Sequence, residues 1–124
     1  MSEGKTILVV EDNDFVRMQI VTFLKSGGYA TQEARDGNAA FDLLSEQAID
    51  LALVDVRMEP MGGFEFISFM NDEGLRVPTI LVTGDQTNDL LEQANRLGVA
   101  ATLMKPVQKE RLMTTVQRVL ERAA

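Results

Sequence analysis

Four short apolar runs punctuate the chain: Thr6 to Val10, Leu51 to Val54, Thr79 to Val82 and Val99 to Met104. The first three have almost no polar interruption, the pattern of strands buried on both faces of a parallel sheet. The fourth, Val-Ala-Ala-Thr-Leu-Met, is less apolar and suits a sheet edge. Tyr29 to Ala34 carries Thr31, Gln32 and Glu33 and predicts a second edge strand. Between these runs the apolar residues change to helical spacing. Val16, Ile20, Phe23 and Leu24 form one stripe, with Asp14 as the expected cap. Ala40, Leu43 and Leu44 form a second, Phe64, Ile67 and Met70 a third, and Leu90, Ala94 and Leu97 a fourth. Leu112, Val116, Val119 and Leu120 complete the set. Gly27-Gly28, Gly74 and Gly98 stand where helices should stop.

Strand and helix therefore alternate five times, which predicts an α/β fold with right-handed crossovers. The most apolar strands, first, third and fourth, belong in the centre. The expected five-stranded parallel sheet is doubly wound in order 2-1-3-4-5, flavodoxin-like, with helices on both faces. At 124 residues and 45% apolar content the whole span, 1–124, is expected to form one domain.

Ligands of such folds bind beyond the carboxyl ends of the strands, where the strand order reverses. There the chain places Glu11-Asp12 after strand one, Asp55 after strand three, Thr83-Gly84 after strand four and Lys105-Pro106 after strand five. Any one of these is ordinary turn or cap chemistry. Together they gather three carboxylates, a hydroxyl and an ammonium at one edge of one sheet. Convergent carboxylates repel unless a cation joins them. Mg²⁺ suits a site of few carboxylates that keeps waters for a phosphate oxygen to replace. Lys105 and Thr83 suit the equatorial oxygens of a transferring phosphoryl group. Asp55 is then either a metal ligand only, or a ligand and the nucleophile of an aspartyl phosphate.

Composition narrows the chemistry. The absence of Cys and His excludes disulfides, thiolate nucleophiles, Cys/His zinc sites, imidazole-based triads and a phosphohistidine donor. Nineteen acidic against twelve basic residues leave a net charge of −7, which disfavours direct binding to nucleic acid or to an anionic membrane. With no spanning-length apolar run and no signal-peptide pattern at the N-terminus, a cytoplasmic location is expected.

Four signatures in this order and spacing resemble the response-regulator receiver domain over roughly residues 5 to 122. They are Ile-Leu-Val-Val-Glu-Asp-Asn (7 to 13), Leu-Val-Asp-Val-Arg-Met-Glu-Pro-Met-Gly-Gly (53 to 63), Leu-Val-Thr-Gly (81 to 84) and Leu-Met-Lys-Pro (103 to 106). The resemblance implies that Asp55 accepts a phosphoryl group from the phosphohistidine of a sensor histidine kinase or histidine phosphotransfer protein. It implies Mg²⁺ bound by Asp12 and Asp55, by Glu11 through water and by the Arg57 backbone carbonyl. Thr83 and Lys105 would hold the phosphoryl oxygens, and Lys105-Pro106 would be cis. Such a protein is no enzyme in the usual sense, although it assists its own phosphorylation and dephosphorylation. A downstream protein target would dock on the fourth helix, fifth strand and fifth helix, residues 88 to 121.

Three positions depart from the family pattern. Thr102 stands where an aromatic switch residue is common, Val107 where Phe is common, and Glu59 in the usual place of a proline that here comes one residue later. The alternative reading is a receiver-fold binding module that acts without phosphorylation. A haloacid-dehalogenase-like phosphatase would need its nucleophile after the first strand with an Asp two positions on, where Asp55 has Arg57. A flavin or nucleotide site would need a Gly- or Ser/Thr-rich loop after strand one, and Glu11 to Asp14 would repel phosphate there. Arg57 and Asp85, each two residues beyond a site residue, are expected to pair across its mouth.

Overall fold

The computed structural model describes residues 4–85 and 87–123. Residues 1–3, Gln86 and Ala124 lie outside the described residues, so the expected domain 1–124 is described without them. Five strands, β1 (Thr6–Val10), β2 (Ala30–Ala34), β3 (Leu51–Asp55), β4 (Thr79–Thr83) and β5 (Ala101–Met104), alternate with five helices. The helices are α1 (Asp14–Ser26), α2 (Gly37–Glu46), α3 (Gly63–Asp72), α4 (Asn88–Arg96) and α5 (Lys109–Ala123). All strand pairs are parallel and the sheet order is β2-β1-β3-β4-β5, as the apolar content of the strands predicts.

Because side chains alternate across a strand, the central strands split their residues between two cores. Ile7, Val9, Leu51, Leu53, Ile80 and Val82 face α1 and α5, where Ile20, Leu24, Leu112 and Val116 meet them. Leu8, Val10, Ala52, Val54 and Leu81 face α2, α3 and α4. Phe66 is the largest side chain buried there and is fully enclosed. The stripe of α3 read from the sequence omits it, although Gly63, Phe66, Ile67 and Met70 have the i, i+3, i+4, i+7 spacing of a buried face.

Three helices end in one device. After α1, α3 and α4, Gly28, Gly74 and Gly98 adopt φ of +88°, +71° and +77°. Their amides donate to Lys25, Asn71 and Asn95, and the next amides, of Tyr29, Leu75 and Val99, donate back to Leu24, Met70 and Ala94. This double closure is the Schellman motif, whose left-handed residue is best supplied by glycine. It corrects two expected strand starts. Tyr29 and Val99 spend their amides on the preceding helix, so β2 begins at Ala30 and β5 at Ala101. The α1 cap also moves by one: Asn13 is the extended residue whose Oδ1 accepts from the Val16 amide at 3.0 Å, and Asp14 is the first helical residue. Among the described residues no helix is long and apolar enough to cross a membrane.

Candidate functional site

The parallel register delivers the polar residues to one edge. Backbone pairing continues past each strand end: Glu11 N donates to Ala34 O (3.0 Å), Val56 N to Val82 O (3.2 Å) and Lys105 N to Thr83 O (2.8 Å). Glu11, Asp55, Thr83 and Lys105 are thereby held by the ladder itself and not by free loop.

Lys105 Nζ lies 3.0 Å from Glu11 Oε1 and 3.1 Å from Asp55 Oδ1. Glu11 and Asp55 are buried, with only 2% and 4% of their surfaces exposed, while Asp12 opens to solvent. One carboxylate oxygen from each of the three acids falls within a 4.8 Å cluster. Glu11 Oε2 accepts from the Asn13 amide at 3.1 Å, whereas the buried Oε1 has its ion contact with Lys105 but no hydrogen bond of proper geometry. Burial, helped by the charge of Asp55, pushes the Glu11 carboxyl up to about 7, against the Asn13 amide and Lys105, which favour its ionised form. Burial pulls the Lys105 ammonium down, but the close carboxylates of Glu11 and Asp55 outweigh it and hold Lys105 above the ordinary lysine value.

These residues fit a hard divalent cation. Their donors are carboxylate oxygens, an under-bonded oxygen is buried among them, and Asp12 provides an opening to water. The expected site residues are thus brought together, with two qualifications of geometry. The Thr83 hydroxyl is turned onto its own loop: Oγ1 accepts from the Asp85 amide and donates to the Asp85 carbonyl, both at 3.0 Å. Arg57 is placed by its side chain, which is 83% exposed and reaches Asp85 Oδ2 at 3.9 Å, so the expected pair forms at the outer limit of an ion contact.

Two supporting residues have no role assigned by the motifs, although the second closes the 53–63 signature. Arg17 donates to the Glu11 carbonyl (2.8 Å) while its other guanidinium nitrogens bind Asp14 (2.7 Å) and Glu33 (3.0 Å). It thereby fastens the acidic loop to α1 and β2. The only sequence signal for it is an Arg three residues after Asp14. The second is Gly63, whose amide donates to Val56 O at 3.0 Å. A Cβ at Gly63 would overlap the Asp55 carbonyl, so this glycine permits the 56–62 loop to fold back beside the acid. The peptide bonds before Pro60 and Pro106 are both cis.

Comparison with known proteins places this geometry. A model of the response regulator receiver domain matches residues 7–117. The polar-differentiation response regulator DivK of Brucella ovis is 30% identical, with 94% of this chain and 96% of DivK covered. The regulatory protein AtoC of Escherichia coli is 32% identical across 98% of this chain, which spans only 26% of AtoC. The sensor histidine kinase RcsC of Salmonella typhi is 34% identical, and the chain spans 13% of it. Among solved structures, the chemotaxis protein CheY4 of Vibrio cholerae superposes with a TM-score of 0.88 at 27% identity, covering 93% of this chain and 98% of that one. A receiver domain protein from Methanospirillum hungatei gives 0.89 at 24% identity over 95% and 94% of the two chains, a likeness of fold.

Proposed function

Because the chain belongs to the response regulator receiver domain family, we propose that it is a phosphoacceptor in two-component or phosphorelay signalling, with Asp55 as the accepting residue. The observation that carries this reading is the Lys105 ammonium seated 3.0 and 3.1 Å from Glu11 and Asp55 inside a buried acidic cluster. A carboxylate with a fixed cation beside it can meet an incoming phosphoryl group without the charge penalty two bare anions would incur.

Asp12 and Asp55 would hold Mg²⁺ through their carboxylates, Glu11 through a bound water and Arg57 through its backbone carbonyl. When bound, the ion supplies positive charge to the oxygens of the transferring group. The donor is the phosphohistidine of a sensor histidine kinase or of a histidine phosphotransfer protein. Lys105 engages Asp55 Oδ1, and we assign Oδ2 as the nucleophile: its bond to phosphorus forms as the phosphorus–nitrogen bond of the donor breaks. Lys105 then neutralises one phosphoryl oxygen. Thr83, once its hydroxyl leaves the Asp85 carbonyl, donates to another. The downstream target docks on α4, β5 and α5, residues 88 to 121.

Acetyl phosphate with Mg²⁺, read by intact mass, tests the assignment. One phosphoryl group should be added to the wild type and none to Asp55→Asn, and Asp12→Asn should label poorly. Full labelling of Asp55→Asn, or labelling unchanged by EDTA, overturns it. A wild type that stays unlabelled supports the alternative, a receiver-fold module that binds its partner without phosphorylation.

A further inference from the structure

Helix α5 buries Leu112, Val116 and Val119 against the sheet. Arg111, Arg118 and Arg122 follow at intervals of seven and four residues, which at 100° per residue brings them within about 40° of one another on a single exposed face. At 1.5 Å rise per residue the stripe is about 16 Å long. Arg17, Arg35, Arg57, Arg96 and Lys105 each face a carboxylate. Arg111, Arg118 and Arg122 have no ion pair among the described residues. In a chain of net charge −7, three uncompensated guanidinium groups along one helix face reverse the local sign.

The stripe borders a shallow groove of about 540 Å³ between β5 and α5, walled mainly by hydroxyl and amide side chains such as Thr102, Gln108 and Thr115, with one carboxylate, Glu110, against the two guanidinium groups of Arg111 and Arg118. Thr115 Oγ1 donates to the Arg111 carbonyl at 2.7 Å, which fixes that wall. Thr102 is small and half-buried, so the β5 side of the groove stands low and open. Hydroxyl and amide walls suit polar side chains rather than an apolar anchor.

We propose that this groove and stripe bind an acidic helix of a partner protein, its carboxylates paired with Arg111, Arg118 and Arg122. Guanidinium forks match carboxylates in bidentate geometry. Spacings of whole helical turns match a facing helix of about three turns. An extended polyanion fits poorly: past the ends of the roughly 16 Å stripe, beyond the roughly 10 Å screening length, it meets the acidic remainder of a chain of net charge −7. The inference rests on the proposed function only in naming this face as the output surface.

The test titrates ¹⁵N-labelled protein with a three-turn alanine-rich helical peptide bearing glutamates along one face. Its glutamine counterpart, a short DNA duplex and phosphatidylserine vesicles serve as comparisons. The glutamate peptide should shift amides of 102–104 and 111–122, less so as NaCl rises. Arg111→Ala with Arg118→Ala should weaken it roughly 2- to 30-fold, the loss of two exposed pairs. Arg76→Ala, which removes a positive charge elsewhere, should leave it intact. Equal binding of the glutamine peptide, tighter binding of duplex or vesicles, or self-association that consumes the stripe overturns the proposal. Acetyl phosphate labelling of the same variants reads Asp55 separately, since neither arginine lies in that site: failed labelling with intact peptide binding rejects the phosphoacceptor reading alone, and the converse rejects this one alone.

Discussion

Glu11→Gln should make the metal-free protein more stable at pH 8 and almost unchanged at pH 5. The reasoning follows the proton. The Glu11 carboxyl is held at about 7 in the folded chain, chiefly by burial, against an ordinary 4.5. Between those values the folded state keeps a proton that the unfolded chain has released. Stability therefore falls as pH rises through this window and levels off above it. At 1.36 kcal/mol per pH unit the full cost is about 3 kcal/mol, reached near pH 8 and absent below about pH 4.5. Glutamine keeps the shape and carries no charge, so the slope disappears with the substitution. Lys105 loses one of two partners, but it stays protonated over this whole range, and Asp55 Oδ1 remains 3.1 Å away. The Lys105 attraction acts only on ionised Glu11 and is already contained in the value of about 7, so its loss adds nothing further to the slope. The assay is urea unfolding in EDTA at half-unit steps from pH 5 to 8, comparing the slope of unfolding free energy for both proteins. Repeating the series in millimolar Mg²⁺ should flatten the wild-type slope, because a cation that binds the ionised cluster of the folded state alone adds RT ln(1 + [L]/Kd), about 2.7 kcal/mol at 100 Kd. Parallel slopes for wild type and Glu11→Gln in EDTA would refute the reasoning.

Arg57→Ala and Asp85→Ala should each speed autodephosphorylation by roughly 1.4- to 5-fold, the rate equivalent of an exposed ion pair worth ~0.2 to 1 kcal/mol, with the double variant no faster than either. Independent, multiplying effects in the decay of labelled protein would show that the two do not act as a pair across the mouth. Gly63→Ala should lower the unfolding free energy by about 1 to 3 kcal/mol and impair labelling, since its Cβ meets the Asp55 carbonyl; unchanged melting and labelling would mean the 56–62 loop yields freely. Beryllofluoride with Mg²⁺ should shift amide resonances across 84–97 in the wild type and far less in Thr83→Ala, and equal shifts in the two proteins would exclude the Thr83 hydroxyl as the link.

The sheet order was legible because burial on two faces leaves a strong mark. β3 and β4 are buried at every position and β1 at four of five, while the edge strands mix exposed and buried residues. The gathering of Glu11, Asp12, Asp55, Thr83 and Lys105 followed from the same topology, since parallel strands in that order end together. What escaped were features decided by backbone accounting and by contacts distant in sequence. Val99 is as apolar as any strand residue, yet its amide is claimed by Ala94 at the end of α4. Asn13 and Asp14 are both good caps, and the choice between them depends on which residue is extended. Arg17 binds Glu33 sixteen residues away, a contact with no periodicity to announce it. The Thr83 hydroxyl could be read as a donor, but its present acceptor on Asp85 could not.

That acceptor bears on how a signal would leave the site without an aromatic at position 102. The Thr83 hydroxyl holds both backbone groups of Asp85, and the Asp85 carboxylate in turn accepts from the Thr87 amide at 3.1 Å. Thr87 caps α4 by accepting from Leu90 N at 3.3 Å. A continuous hydrogen-bonded chain therefore runs from the end of β4 to the start of α4. One hydroxyl cannot donate its single proton to a phosphoryl oxygen and to the Asp85 carbonyl at once. If Asp55 carries the phosphoryl group and Thr83 turns to it, Asp85 loses an internal partner at the head of that chain. The loop then has a reason to move that depends on hydrogen-bond supply and not on the rotation of a ring. Thr102, small and half-buried, has no ring whose rotation could transmit such a movement. On the proposed function, the link from Asp55 to α4 would then pass through the Thr83 hydroxyl and the Asp85–Thr87 hydrogen bonds.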